Sequence, residues 1–240
     1  MLLAACVSPD IPAELGREAP QSTPGQEEAA ASHEEGNLEE VSAEQNLEEL
    51  RIIVEYFTPS QTEGPFYPVQ MPEDRDSDLF VVDGAEGSPT GEILVFEGIL
   101  YDGAGMPIPG AVIEIWQTDD NGIYMHPGDS DSPRRDVNFQ SYGESETGAD
   151  GRYGFRTIMP GAYNPRPRHI HVKVRMEGRE LLTTQFYFSN DPNAPSDRIF
   201  AGAGEEVSAL IMEIKEGLDS EGNSVLIGSR DIVLRDVFSE

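Results

Sequence analysis

From residue 92 onward the chain breaks into short β-prone runs, and that rhythm limits what it can fold into. The runs lie at 93–101, 111–117, 152–158, 169–174, 182–188 and 231–237, with Gly, Pro, Asp and Asn clustered between them. Bounded in this way, they suit strands better than helices. The expected class is mainly β: a β-sandwich of two sheets, with long loops carrying the chemistry and a few short helices. One helix is predicted over 42–57, where Ser42 and Gln45 resemble a capping box ahead of Leu47, Leu50, Ile53 and Val54. A second is predicted over 205–216, from Val207, Leu210, Ile211 and Ile214 at helical spacing.

Length and charge narrow the function. The 240 residues, 38% of them hydrophobic, suffice for one core and a tail. A formal charge of -29 argues against nucleic acid or an anionic membrane surface as partner, because phosphate contact needs clustered Lys and Arg. Between Asp10 and Glu49 stand twelve acids and one base, Arg17, which reads as a solvated tether over 1–41. The single cysteine rules out an internal disulfide.

The tail also holds Leu3-Ala4-Ala5-Cys6, which resembles a bacterial lipobox. A signal peptide needs roughly 7–15 apolar residues before its cleavage site, and Cys6 has five residues of any kind before it. A start upstream of Met1 would reconcile the two. Cys6 would then be lipidated and anchor an extracytoplasmic bacterial protein to its membrane; otherwise the protein is cytoplasmic.

The candidate chemistry centres on 163–171, Tyr-Asn-Pro-Arg-Pro-Arg-His-Ile-His. Residues at i and i+2 of a strand share a face, so His169 and His171 would project together and offer two metal-ligating nitrogens. Alone, such a pair reads more readily as two hydrogen-bonded or solvated imidazoles than as metal ligands. Tyr124 follows the turn Asp119-Asp120-Asn121-Gly122, and Tyr163 follows Met159-Pro160-Gly161-Ala162. Both would leave strand ends on loops.

At this point the sequence resembles the intradiol ring-cleavage dioxygenases, the family of catechol and protocatechuate dioxygenases. The run 96–124, with Gly-Met-Pro-Ile-Pro-Gly-Ala-Val-Ile-Glu-Ile-Trp-Gln-Thr-Asp-Asp-Asn-Gly-Ile-Tyr at 105–124, carries the likeness. It continues in order through Asp136-Val137-Asn138-Phe139, residues 151–163, Arg166 to His171 and Thr184-Gln185-Phe186-Tyr187-Phe188. Residues 58–240 would form the catalytic domain. One chain holds both Gln61-Thr62-Glu63-Gly64-Pro65-Phe66-Tyr67 and all the ligand positions, so a single-chain member is expected.

The resemblance implies a non-haem Fe(III) held by Tyr124, Tyr163, His169 and His171. Tyr163 would be the ligand released when a catechol binds, taking up a substrate proton. The implied reaction inserts both atoms of O2 between the two hydroxyl-bearing ring carbons and gives a cis,cis-muconate-type product, as in the breakdown of aromatic compounds. Arg166 would stabilise negative charge on the substrate, Gln185 would line the same pocket, and Pro65 and Tyr67 would wall it. The implied partners are a catechol-type molecule and O2, with room for a homo-oligomer. Two rivals stand beside this reading. The Pro-Gly-Ala turns also resemble non-catalytic transthyretin-like β-sandwich binding modules, and a zinc hydrolase could use His169 and His171 if a carboxylate stood near.

Overall fold

The computed structural model describes residues 49–219 and 222–235. Cys6, the acidic tether and the first part of the predicted 42–57 helix lie outside them. The protein is mainly β. Among the described residues there are nine strands: β1 (Ile93–Tyr101), β2 (Val112–Trp116), β3 (Tyr142–Glu146), β4 (Arg152–Ile158), β5 (His169–Met176), β6 (Arg179–Phe188), β7 (Ile211–Leu218), β8 (Ser224–Ser229) and β9 (Ile232–Val233).

The expectation of two separate sheets is corrected. The strands follow one path, β3-β2-β5-β6-β7-β8-β1-β4, with β9 paired to β1. The joint is a short parallel register in which Tyr187 meets Ile211 and Phe188 meets Met212. The two ends of the path approach each other, since the Gly154 amide of β4 donates to Ser145 Oγ of β3 at 3.3 Å. The result is a nearly closed, barrel-like sheet around Phe96, Leu100, Ile113, Ile115, Phe155, Ile170, Val172 and Phe186, all fully or almost fully buried.

Within the described residues the first predicted helix stops at Glu49, short of 57, and the second does not form as an α-helix. Residues 51–57 are extended, with Ile52, Val54 and Tyr56 less exposed than Arg51, Ile53 and Glu55 between them, a period of two rather than 3.6. Their backbone bonds reach other parts of the chain: the Ile52 amide donates to Gly105 O and the Thr58 amide to Val233 O. Over 205–216, a 3-10 helix (Gly204–Leu210) gives way to β7, which pairs antiparallel with β8. Val207 and Leu210 fit the three-residue repeat of the first piece, while Met212 and Ile214 alternate in the second.

Register decides where the site forms. On β5, Ile170, Val172 and Val174 enter the core. His169, His171, Lys173 and Arg175 therefore share the opposite face. Across the ladders Trp116 pairs with His171 and Glu114 with Lys173, while His169 pairs with Tyr187 and His171 with Gln185. The segment 58–72 covers this face.

Candidate active site

Two loops bring the tyrosines together, and buried polar groups tie the loops. β2 and β4 end beside each other because Gln117, fully buried, donates from Nε2 to Ile158 O at 2.9 Å and accepts from Thr157 Oγ1 at 3.1 Å. One residue on, Thr118 Oγ1 donates to Gly161 O at 2.8 Å. Glycine is required at this seam. A Cβ on Gly161 would sit 2.3 Å from Gly122 N, and one on Gly122, at φ +78, would sit 2.5 Å from Ala162 O. The buried carboxylate of Asp119 accepts three amide bonds, from Asn121, Ile123 and Asp136, and Asp129 Oδ2 accepts from the Tyr124 amide at 2.9 Å. Tyr124 is thus held by its own backbone.

The phenols and imidazoles then meet. Tyr124 Oη lies 3.2 Å from His169 Nε2. The ring centroids of Tyr124 and Tyr163 are 5.5 Å apart, those of Tyr163 and His169 5.7 Å, and those of His169 and His171 4.9 Å. His169 Nδ1 is 2.8 Å from Pro167 O. A carbonyl can only accept, so Nδ1 carries the proton and Nε2 keeps its lone pair toward Tyr124. His171 is fixed by stacking instead, on Trp116 at 4.7 Å with the planes 10° apart. Its Nδ1 is buried with no hydrogen-bond partner among the described residues.

Burial sets the charge state of these groups. It pushes the His169 imidazole down from 6.5 to about 4, with the Arg166 charge adding to the effect. His171 is lowered well below its ordinary value by burial, then by His169 and Arg166. Both imidazoles are therefore neutral near pH 7, the form that ligates metals. The Tyr124 phenol is raised well above 10 by burial and by Tyr163. Tyr163 is also raised by burial, against the opposing charge of Arg166. Only a strong cation would ionise such phenols near neutral pH.

The donor set fits a ferric ion. Among the described residues no group of three or more His, Cys, Asp or Glu side chains could hold a metal, so the two histidines complete a ligand set only with the phenols. Phenolate oxygens are hard anionic donors suited to Fe(III), and a zinc hydrolase would want a carboxylate here. Gly64, at φ +73, leaves space beside His171: a Cβ there would lie 3.3 Å from Cε1.

Arg166 and Gln185 adjoin the cluster. Arg166 Nε donates to Asp197 Oδ2 at 2.6 Å, and Nη2 donates to Gln185 Oε1 at 2.6 Å and Tyr187 Oη at 3.1 Å. Gln185 Nε2 donates to Thr62 O at 2.8 Å, which ties the covering segment down. In that segment Phe66 stacks on Tyr124 at 4.7 Å and meets Tyr163 edge-on at 6.1 Å. Pro65 is exposed. Tyr67 turns to the far side of Trp116, where its hydroxyl donates to Glu114 Oε2 at 2.7 Å. Of the two rings in this segment, Phe66 rather than Tyr67 packs on the candidate phenols. Sequence reasoning also missed Asp197, Tyr187 and Gln61 around Arg166.

Comparison with known proteins agrees with this geometry. Residues 62–236 match a family model described as Dioxygenase. The protocatechuate 3,4-dioxygenase beta chain of Burkholderia cepacia is 36% identical over 182 residues, covering 72% of this chain and 77% of that one. The chain belongs to the intradiol ring-cleavage dioxygenase family. Within this family, the catechol 1,2-dioxygenase of Acinetobacter baylyi is 30% identical over 194 residues, 73% of this chain but 59% of its own length. Among solved structures, the dioxygenase domain of a dioxygenase carbohydrate-binding protein fusion from Streptomyces sp. SirexAA-E superimposes with a TM-score of 0.59 at 32% identity, covering 75% of this chain and 99% of that one. The family match spans the strands and loops that carry Tyr124, Tyr163, His169 and His171.

Proposed function

We propose that this member of the family is a non-haem Fe(III) dioxygenase that cleaves a catechol-type ring between its two hydroxyl-bearing carbons, inserting both atoms of O2 to give a cis,cis-muconate-type diacid. One observation carries the reading: two phenols converge with two buried, neutral imidazoles, with no carboxylate among the four. Tyr124, Tyr163, His169 and His171 would hold the ion. Once bound, it supplies the Lewis acidity and redox capacity that the chemistry with O2 requires.

The chain's own residues do the rest. His169 keeps its Nε2 lone pair directed by the bond to Pro167 O, and Trp116 holds the His171 plane. Phe66 stacks on Tyr124 and helps exclude water from this buried phenol, which strengthens its charge interactions. Tyr163, half-exposed and tied through its backbone oxygen to the Arg166 amide, is the phenol free to move and accept a substrate proton at Oη. The guanidinium of Arg166 lies ready to stabilise negative charge on the substrate ring.

The test is oxygen uptake by the iron-loaded protein across a panel of catechols, with product identified by its ultraviolet spectrum and mass. Consumption of one O2 per catechol and a ring-opened diacid carrying both oxygen atoms are expected. A product cleaved outside the diol, or no uptake with any catechol, would reject the reading. Lipid anchoring rests on Leu3-Ala4-Ala5-Cys6 alone; membrane fractionation with the upstream reading frame restored tests it, and wholly cytosolic protein would overturn it.

A further inference from the structure

Arg166 is a buried cation whose orientation is fixed from outside the strand that carries the histidines. Its side chain is 13% exposed and that of Asp197 only 3%. The two oxygens of Asp197 have different tasks. Oδ2 accepts from Arg166 Nε at 2.6 Å, and Oδ1 accepts from the Ile199 amide at 2.8 Å, capping the helical turn Arg198–Ala201. That turn is pinned in its own right: Phe200 packs edge-on against Tyr187 at 4.8 Å, and Gln61 Nε2 donates to Ile199 O at 2.9 Å. The carboxylate therefore cannot follow Arg166 if the guanidinium swings.

The fork completes the argument. With Nε held by Asp197 and Nη2 by Gln185 and Tyr187, the guanidinium plane has one orientation. Gln185 and Tyr187 are neutral acceptors, so Asp197 is the anion that sets where the charge sits. Without it, no anion fixes the Nε edge, and the guanidinium can leave this orientation.

We propose that Asp197 is a positioning residue for catalysis: it clamps Arg166 by its Nε edge, keeping the guanidinium aimed at the substrate. This rests on the dioxygenase reading and adds to it a residue from a different part of the chain.

Asp197→Asn is the discriminating variant. The amide oxygen can still cap Ile199, whereas the NH2 group faces the Arg166 Nε–H, donor against donor. In the iron-loaded full-length protein, iron content and visible colour should stay near wild type while kcat falls on the order of 10²-fold, as expected when a charge is misplaced by about an ångström. The anaerobic dissociation constant for catechol should change less than tenfold. Arg166→Lys keeps the charge and loses the fork, so it should lose turnover to a similar extent, and Asp197→Asn added to it should cost less than threefold more. In the metal-free protein, the Arg166 Nε–H proton should give a shifted, slowly exchanging NMR signal that Asp197→Asn abolishes.

Asp197→Asn with kcat within threefold of wild type, or additive losses in the double variant, would overturn the proposal. Should Asp197→Asn fail to fold, Arg166→Lys with normal kcat would overturn it alone. If wild type itself failed to bind iron, the dioxygenase reading would fall, while the NMR signal would still decide whether the clamp exists.

Discussion

The two halves of one strand face deal with positive charge in opposite ways. On β5, His169 and His171 lie at one end of the face turned from the core, and Lys173 and Arg175 continue it. Lys173 is as buried as the histidines, yet its ammonium has partners: Glu63 at 2.5 Å, Glu180 at 3.4 Å and the Tyr67 ring at 3.8 Å. Next to it, Glu114 is buried with the Tyr67 hydroxyl and, at 3.6 Å, Arg175. This end carries its own cations and the anions to match. Across Trp116, which stacks on His171 at 4.7 Å, the imidazole end has lone pairs and phenols, and the carboxylate beside it, Asp197, is bound to Arg166. Burial of a charge requires a partner. The comparison shows which end of the face has donors suited to an added cation.

Removing a donor should have the largest effect. His169→Ala or Tyr124→Phe should weaken ferric binding by more than the 10–100-fold typical of losing a group that only supports a ligand, read by competition with a chelator. Wild-type affinity in either variant would remove that residue from the ligand set.

Next in size is a pH effect on the metal-free protein. The His169 imidazole titrates near 6.5 when unfolded and near 4 when folded. Between those values the unfolded state binds more protons, so stability present above pH 6.5 is lost as pH falls toward 4. At 1.36 kcal/mol per unit, His169 alone accounts for roughly 3 kcal/mol, and His171 acts in the same direction. Urea unfolding at pH 7 and 4.5 measures it. The slope should flatten in His169→Gln; an unchanged slope would contradict the neutral, buried imidazole.

At the charged end, Lys173→Met should cost about 2 kcal/mol in urea unfolding. That is less than the 3–5 kcal/mol of breaking a fully buried pair, because Glu63 is half-exposed and can rehydrate. Iron stoichiometry should not change. Smallest is Tyr67→Phe, which leaves Glu114 one bond short and should cost about 1 kcal/mol without altering turnover. Loss of turnover in Tyr67→Phe would return this ring to the substrate wall in place of Phe66.

What the sequence made legible follows the reach of local pattern. β1 and β4 were readable to the residue because β-branched and aromatic residues recur along both, with turn formers beyond their ends. β3, Tyr-Gly-Glu-Ser-Glu, was not, since its polar residues suit an edge strand that buries little. The extended 51–57 segment and β7 resembled helices because a few apolar residues fit both periods, and the choice was made by partners far along the chain. At the site, the His-x-His alternation was visible, as were the turns before both tyrosines. The seam between Gly122 and Gly161 was not, because it joins residues 39 positions apart. Asp197 was not legible either, because nothing local to it announced Arg166, its partner 31 positions earlier.

The most direct test of the account is a ferric titration of the metal-free protein followed in the visible range. Tyrosinate bound to Fe(III) absorbs there by charge transfer, and free phenols do not. The account predicts an intense reddish band that saturates at one equivalent, weakens in Tyr163→Phe, fails in Tyr124→Phe and shifts when catechol is added without oxygen. A colourless ferric complex, or a band that survives loss of both tyrosines, would contradict it.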